Sequence, residues 1–247
     1  MTSKTELFTA LHVPGNPLTL YNIWDAGSAA AVEKAGARAL ATGSWGVAAA
    51  HGFKDGEDFP VDLAIANLRE IVRVTELPVT IDLEAGYGET PDAVKITVQT
   101  AADAGAAGIN LEDKDPKTRQ LFPVEHAAAR IAAAAAVGLF VNARTDLFIL
   151  TPPDAHDQGV TDAVLERSRA YADAGARGLF VPFLTDEKLI AYLCERSPLP
   201  VNILIHPDGP CHDRLAELGV ARISHGHAPW AEAMEWLTAQ AQSVYNI

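Results

Sequence analysis

Short apolar runs recur along this chain, each followed by a longer stretch whose apolar residues return every third or fourth position. The runs span residues 18–24, 39–42, 78–83, 108–111, 139–142, 178–181, 200–205 and 221–223. Their length and β-branched content predict buried strands. The stretches between them predict helices over 28–34, 63–74, 91–104, 124–136, 161–174, 186–195, 212–218 and 231–243. A further short helix, 4–11, is stopped by Pro14-Gly15.

One phrase repeats. Glu33-Lys34-Ala35-Gly36-Ala37-Arg38, Ala102-Asp103-Ala104-Gly105-Ala106-Ala107, Ala172-Asp173-Ala174-Gly175-Ala176-Arg177 and Glu217-Leu218-Gly219-Val220 each lead into an apolar run. Each reads as a helix closed by a glycine cap, then a strand. Eight strand–helix alternations with short links predict a parallel sheet closed as a (β/α)8 TIM barrel, one domain over 1–247 with an N-terminal helix. The alternative is an open doubly wound sheet. It often carries a glycine-rich phosphate turn after its first strand, and Asp25-Ala26-Gly27-Ser28 is not one.

Charge narrows the partners. The net charge of −13 argues against nucleic acid or an anionic membrane surface. No apolar run reaches the roughly 18 residues that span a bilayer, and the N-terminus shows no apolar signal segment. Two cysteines, Cys194 and Cys211, make no disulfide framework, so the expected compartment is the cytoplasm.

Candidate chemistry lies where a barrel carries it, at the strands' C-terminal ends. The third strand runs Val79-Thr80-Ile81-Asp82-Leu83-Glu84. Alternation places Thr80, Asp82 and Glu84 on one face. Two acids so placed repel unless a proton or cation lies between them. Hard cations such as Mg²⁺ take carboxylate oxygens and keep several waters. Solvated acids at a strand end are the other reading. Gly43, Ser44 and Trp45 follow the second strand, with Asp55 in the next loop. Glu112 ends the fourth strand, Arg144 the fifth, and Asn202 lies on the seventh. At this level Arg144 either faces an anionic ligand or pairs with Asp146. Glu112 either joins the acids or bridges Lys114 or Lys95. Asp55 could be a solvated turn acid, and Ser44 a hydroxyl bonded to backbone. His225 and His227 could be a zinc pair, but core or interface histidines fit their spacing better. Residues 151–159 form a plausible loop or lid.

From Tyr21 to about Trp236 the chain resembles the isocitrate lyase/phosphoenolpyruvate mutase superfamily. The resemblance rests on DLEAGYG (82–88), GSW (43–45) with Asp55 downstream, NLEDK (110–114) and NARTD (142–146), in the family's order. It implies that Asp82 ligates Mg²⁺, or Mn²⁺, directly while Asp55, Glu84 and Glu112 hold its waters. It implies that Gly43, Ser44 and Trp45 bind a carboxylate with Arg144, and that the substrate is a small 2-oxo acid, dicarboxylate or precursor. It implies C–C cleavage, decarboxylation or a related reaction through an enolate, and a homo-oligomer as the expected assembly. Phosphoenolpyruvate or phosphonopyruvate mutase or hydrolase chemistry is one alternative. A metal-dependent 2-oxo acid binding protein with little turnover is another. Where the family's lyases carry K-K/R-C-G-H, this chain reads Asp115-Pro116-Lys117-Thr118-Arg119-Gln120. Lys117 and Arg119 are therefore the candidates in that loop for polarising or closing over the substrate.

Overall fold

Eight short parallel strands form the frame: β1 Leu18–Leu20, β2 Leu40–Ala41, β3 Val79–Asp82, β4 Gly108–Glu112, β5 Phe140–Arg144, β6 Gly178–Val181, β7 Val201–Leu204 and β8 Arg222–Ser224. This computed structural model describes residues 3–245. The predicted domain, 1–247, extends to residues 1, 2, 246 and 247, which lie outside the described residues. The ladders run in the order β1-β8-β7-β6-β5-β4-β3-β2. Between β1 and β2 the ring closes by the parallel Ile23–Thr42 bridge. That completes a (β/α)8 barrel.

The first strand ends four residues earlier than its apolar run, because Asn22 replaces the ladder there. Its Oδ1 accepts the His225 and Gly226 N–H groups at 3.0 and 2.8 Å, and its Nδ2 donates to the Thr42 carbonyl at 3.1 Å. One side chain thus ties the ends of β8 and β2 across the seam.

Helices surround the ring: α1 Lys4–Ala10, α2 Ala26–Lys34, α3 Ser44–Ala50, α4 Val61–Arg73, α5 Pro91–Asp103, α6 Val124–Ala135, α7 Leu147–Leu150, α8 Gln158–Asp173, α9 Glu187–Arg196, α10 His212–Glu217 and α11 Ala228–Tyr245. In the repeated phrase Gly36, Gly105, Gly175 and Gly219 all take a left-handed φ, between 91° and 101°. Only glycine adopts this without strain, so each helix stops where the phrase requires. Of the two readings of residues 151–159, loop or lid, the segment is a loop that holds a 3₁₀ turn, Pro153–Ala155, and runs into α8. His156 fixes it by bonding the Phe148 and Thr151 carbonyls. Among the described residues no helix is long and apolar enough to cross a membrane.

Alternation along the strands sorts the side chains. Val79, Ile81, Ile109, Leu111, Val141, Leu179, Val201, Ile203 and Ile223 face the helices and form the main core. Their neighbours face the lumen, and the lumen is polar. Asn142 Nδ2 donates to Asn110 Oδ1 at 2.9 Å, and Arg222 Nε donates to Ser224 Oγ at 3.2 Å. The Ser224 hydroxyl donates to Asn202 Oδ1 at 3.2 Å. Arg222 is fully buried. Burial pushes its guanidinium down to about 9, so it stays charged at neutral pH, and Asp82 above works in its favour.

Below this layer α1 plugs the barrel floor. Phe8, Leu18, Leu20, Ala39, Ala41, Ala107 and Phe140 form a second apolar cluster. His12 stacks on Phe140 with ring centroids 4.2 Å apart, and its Nδ1 sits 2.8 Å from the Phe8 carbonyl. Its Nε2 is buried with no partner. Burial, reinforced by Arg222, pushes the imidazole down to about 3. The folded state therefore binds fewer protons than the unfolded chain between about pH 3 and 6.5, and stability rises with pH across that window. His12→Phe keeps the stack and removes the titration. Parent stability relative to His12→Phe is expected to fall by ~1.4 kcal/mol for each pH unit below 6.5. Urea melts of both proteins at pH 7, 6 and 5 check this; a gap that does not move with pH rules it out.

Candidate functional site

Asp82 is the last residue of β3, and its peptide N–H is held by Thr42 Oγ1 at 3.0 Å. Its carboxylate meets only two backbone donors, both long: Ser44 N–H at 3.4 Å and Glu84 N–H at 3.2 Å. Past Leu83 the strand alternation stops. Glu84 and Tyr87 take left-handed backbone with φ 49° and 51°, and Gly86 lies at 94°. A Cβ on Gly86 would come within 2.9 Å of Leu111, so glycine is required for packing as well as for the turn.

That turn re-aims Glu84. Its Oε2 accepts the Gly56 and Glu57 N–H groups, each at 2.7 Å, and its Oε1 accepts the Tyr87 hydroxyl at 3.1 Å. Glu57 answers by accepting the Tyr87 N–H at 2.7 Å. The two loops are stapled reciprocally, which brings Asp55 over the end of β3. Burial, then Asp82, pushes the Asp55 carboxyl up, with the Ser44 hydroxyl opposing. Burial, then Asp55 and Asp82, pushes Glu84 up to about 7.

Glu112 and Arg144 end neighbouring strands in register. Arg144 Nη1 lies 3.0 Å from Glu112. Its Nε and Nη2 donate to the two oxygens of Asp146 at 2.6 and 3.1 Å. Lys114 donates to Asp146 as well and lies 3.8 Å from Glu112. Burial pushes Glu112 up against the pull of Arg144, with Asp146 and Asp82 adding to the rise. Burial also opposes the Arg144 charge, but Glu112 and Asp146 keep it firmly protonated. Of the two readings of Arg144, pairing with Asp146 is real. The guanidinium nonetheless lines the central cavity, with N–H groups beyond these contacts.

The cavity, about 320 Å³, opens at the strands' C-terminal ends and includes Gly43, Ser44, Trp45, Asp55, Asp82 and Arg144. Glu84 and Glu112 stand beside it; Glu84 lines a crevice of about 10 Å³ behind Asp82, room for about one water. Gly43 caps α3, which begins at Ser44 directly after the strand end. The first-turn N–H groups of this helix have no intrahelical acceptor.

Three predicted residues are not brought here. Asn202 points into the lumen one layer below, because Leu204 takes the top position on β7. Lys117 pairs with Glu89 across a separate hollow beside Arg130 and Phe122. Arg119 has φ 59° and is exposed in the same loop, which the Lys114–Leu121 bridge folds back on itself. His225 is not paired with His227: it stacks on His212, and His227 stacks against Trp45. Asn22 and Phe183, to which the sequence alone assigns no role, line the cavity, and so does Lys114. Lys114 directly follows the acids of NLEDK, and that adjacency was the available signal.

The donor set suits a hard, hydrated cation. One carboxylate with little competition, Asp82, faces three acids that burial and mutual repulsion disfavour as anions. Among the described residues no three His, Cys, Asp or Glu side chains converge as a complete ligand shell.

The family model for phosphoenolpyruvate phosphomutase matches residues 8–245. A provisionally assigned phosphonomutase of Burkholderia cenocepacia J2315 has a crystal structure 51% identical in sequence. It superposes with a TM-score of 0.95 over 97% of this chain and 98% of that one. An uncharacterised protein of Mycobacterium tuberculosis is 36% identical over 96% of this chain and 88% of its own. The 2-methylisocitrate lyase of Escherichia coli K12 is 29% identical over 99% of this chain and 84% of its own.

Proposed function

The chain belongs to the isocitrate lyase/phosphoenolpyruvate mutase superfamily, and from that premise we propose that it is an Mg²⁺-dependent enzyme of lyase type acting on a small 2-oxo acid or its precursor. The carrying observation is that Asp55 and Asp82 line, together with Arg144 and the start of α3, a cavity beside which Glu84 and Glu112 stand.

Asp82 would hold the ion directly, with Asp55, Glu84 and Glu112 on its waters. When bound, the cation supplies a Lewis acid for negative charge developing at the substrate's 2-oxo group. The chain does the rest. The first turn of α3 and Arg144 take the carboxylate, a planar bidentate match for a guanidinium. Asp146 and Glu112 fix the guanidinium plane, and the staple between Glu57, Tyr87 and Glu84 fixes Asp55. Trp45, packed on Trp230 at 5.3 Å, shields the mouth from water.

Arg144→Lys keeps the charge and loses the fork. It is expected to weaken 2-oxo acid binding by at least about tenfold, roughly 1.4 kcal/mol. Calorimetric titration of both proteins checks this, and parental affinity in the variant would make Arg144 purely structural.

A second reading, interconversion or hydrolysis of phosphonopyruvate, is favoured by the provisional assignment of the 51% identical relative. Steady-state turnover with Mg²⁺ on oxaloacetate, 2-methylisocitrate, phosphonopyruvate and phosphoenolpyruvate separates the two. Carbon–carbon cleavage of either of the first two supports the lyase reading. Turnover confined to the phosphorus compounds replaces it.

A further inference from the structure

Resting on that reading, we propose that the 2-oxo acid handled here carries an uncharged apolar tail, seated against Ile149, Phe180, Pro182, Phe183 and Leu204, instead of a second carboxylate. The cavity is divided. Its acids, Ser44 and Arg144 come from the ends of β2 to β5, whereas the ends of β6 and β7 and the start of α7 supply only carbon. The strand period explains the split. Phe180 is the register partner of Arg144 and faces the lumen beside it, and Leu204 faces the same cavity at the end of β7.

A second carboxylate would need a cation on the apolar side of the cavity. Apart from Arg144, which takes the first carboxylate, Lys114 is the lysine or arginine lining the cavity. It follows β4, is bonded to Asp146 beside Glu112, and stands two strands away from β6 and three from β7. His227, the lining imidazole, lies on the Trp45 side and stacks with that indole at 5.2 Å.

Ile149 and Phe183 also line a neighbouring cavity of about 510 Å³, whose other walls include Phe148, Leu184, His156, His206, Asp186 and Asp208. Asp186 caps α9, and Asp208 lies 3.6 Å from His206. Among the described residues no lysine or arginine lines this space, whereas an aliphatic chain there meets aromatic and branched side chains.

Phe183 adds an independent sign. It lies at φ 63°, uncommon for an aromatic residue, and leaves 41% of its surface exposed between the two cavities. Such backbone persists where the surroundings impose it, and it clusters at ligand sites. Ile149 is similarly exposed at 36%. Both gain only if something apolar covers them.

The test is calorimetric binding with saturating Mg²⁺ of oxalate, pyruvate, 2-oxobutanoate, 4-methyl-2-oxopentanoate and 2-oxoglutarate. Affinity is expected to rise roughly threefold to fourfold per buried methylene. 4-Methyl-2-oxopentanoate should bind at least about tenfold more tightly than pyruvate or 2-oxoglutarate. Phe183→Asn suits the left-handed backbone, and in it the ratio of 4-methyl-2-oxopentanoate to pyruvate affinity should fall below about threefold. A flat series, or 2-oxoglutarate binding as well as the branched acid, overturns the apolar tail while oxalate binding keeps the functional reading. Failure of every acid to bind, oxalate included, overturns both.

Discussion

Asp82→Ala is expected to lower Mg²⁺-dependent turnover by about a thousandfold or more, roughly 4 kcal/mol of transition-state stabilisation, while the barrel stays folded. The carboxylate is lightly engaged, with two long backbone contacts. It contributes little to the fold and most to an ion. Its strand is held on the other face by Val79 and Ile81 in the main core. Removing it also removes a charge that raises Asp55 and Glu84. The metal-free variant should therefore unfold no earlier than the metal-free parent. A thermal melt in EDTA with a turnover assay in Mg²⁺ reads both halves. Retained turnover would move the direct ligand elsewhere, and early melting would make Asp82 a structural residue.

The second large effect is on stability. Asp146→Asn is expected to cost about 3 kcal/mol, because breaking a buried ion pair leaves an uncompensated charge, and to lower Tm by roughly 6–12 °C. Asp146 is fully buried, takes two bonds from Arg144 and one from Lys114, and its N–H donates to Asp113 at 3.0 Å. Burial works against its charge, but Arg144 and Lys114 hold the carboxyl below its usual value. The sign follows. A carboxylate lowered on folding contributes stability above its unfolded pKa and loses it as pH falls through the folded one. The gap between parent and variant should hold from pH 8 to 5 and close below about pH 4. Urea melts across that range decide it. A gap under about 1 kcal/mol at pH 7 would reduce Asp146 to a neutral hydrogen-bond partner.

The barrel could be read from the sequence because its signals are local. Four helices stop at a glycine that must turn left-handed, and each strand is a run too short to be anything else. What escaped the reading depends on contacts far apart in sequence. The break of alternation at Glu84 is imposed by Gly56, Glu57 and Tyr87, residues whose roles emerge only when two loops meet. Gly43-Ser44-Trp45-Gly46 carries two glycines and looks like a turn, yet Ser44 starts a helix once Gly43 is fixed by the Ile23 carbonyl. Asn202 has the right residue type on the right strand and lies one layer too deep. The cations Lys117 and Arg119 looked free in a strongly acidic chain, but a folded-back loop turns them away from the cavity.

All of these roles assume that an ion mediates between Asp82 and an anionic ligand. The most direct test is calorimetric titration of oxalate into the protein with millimolar Mg²⁺ and again in excess EDTA. Binding in Mg²⁺ that drops at least about a hundredfold, roughly 2.7 kcal/mol, in EDTA is the predicted result. The same affinity with and without the cation would contradict it.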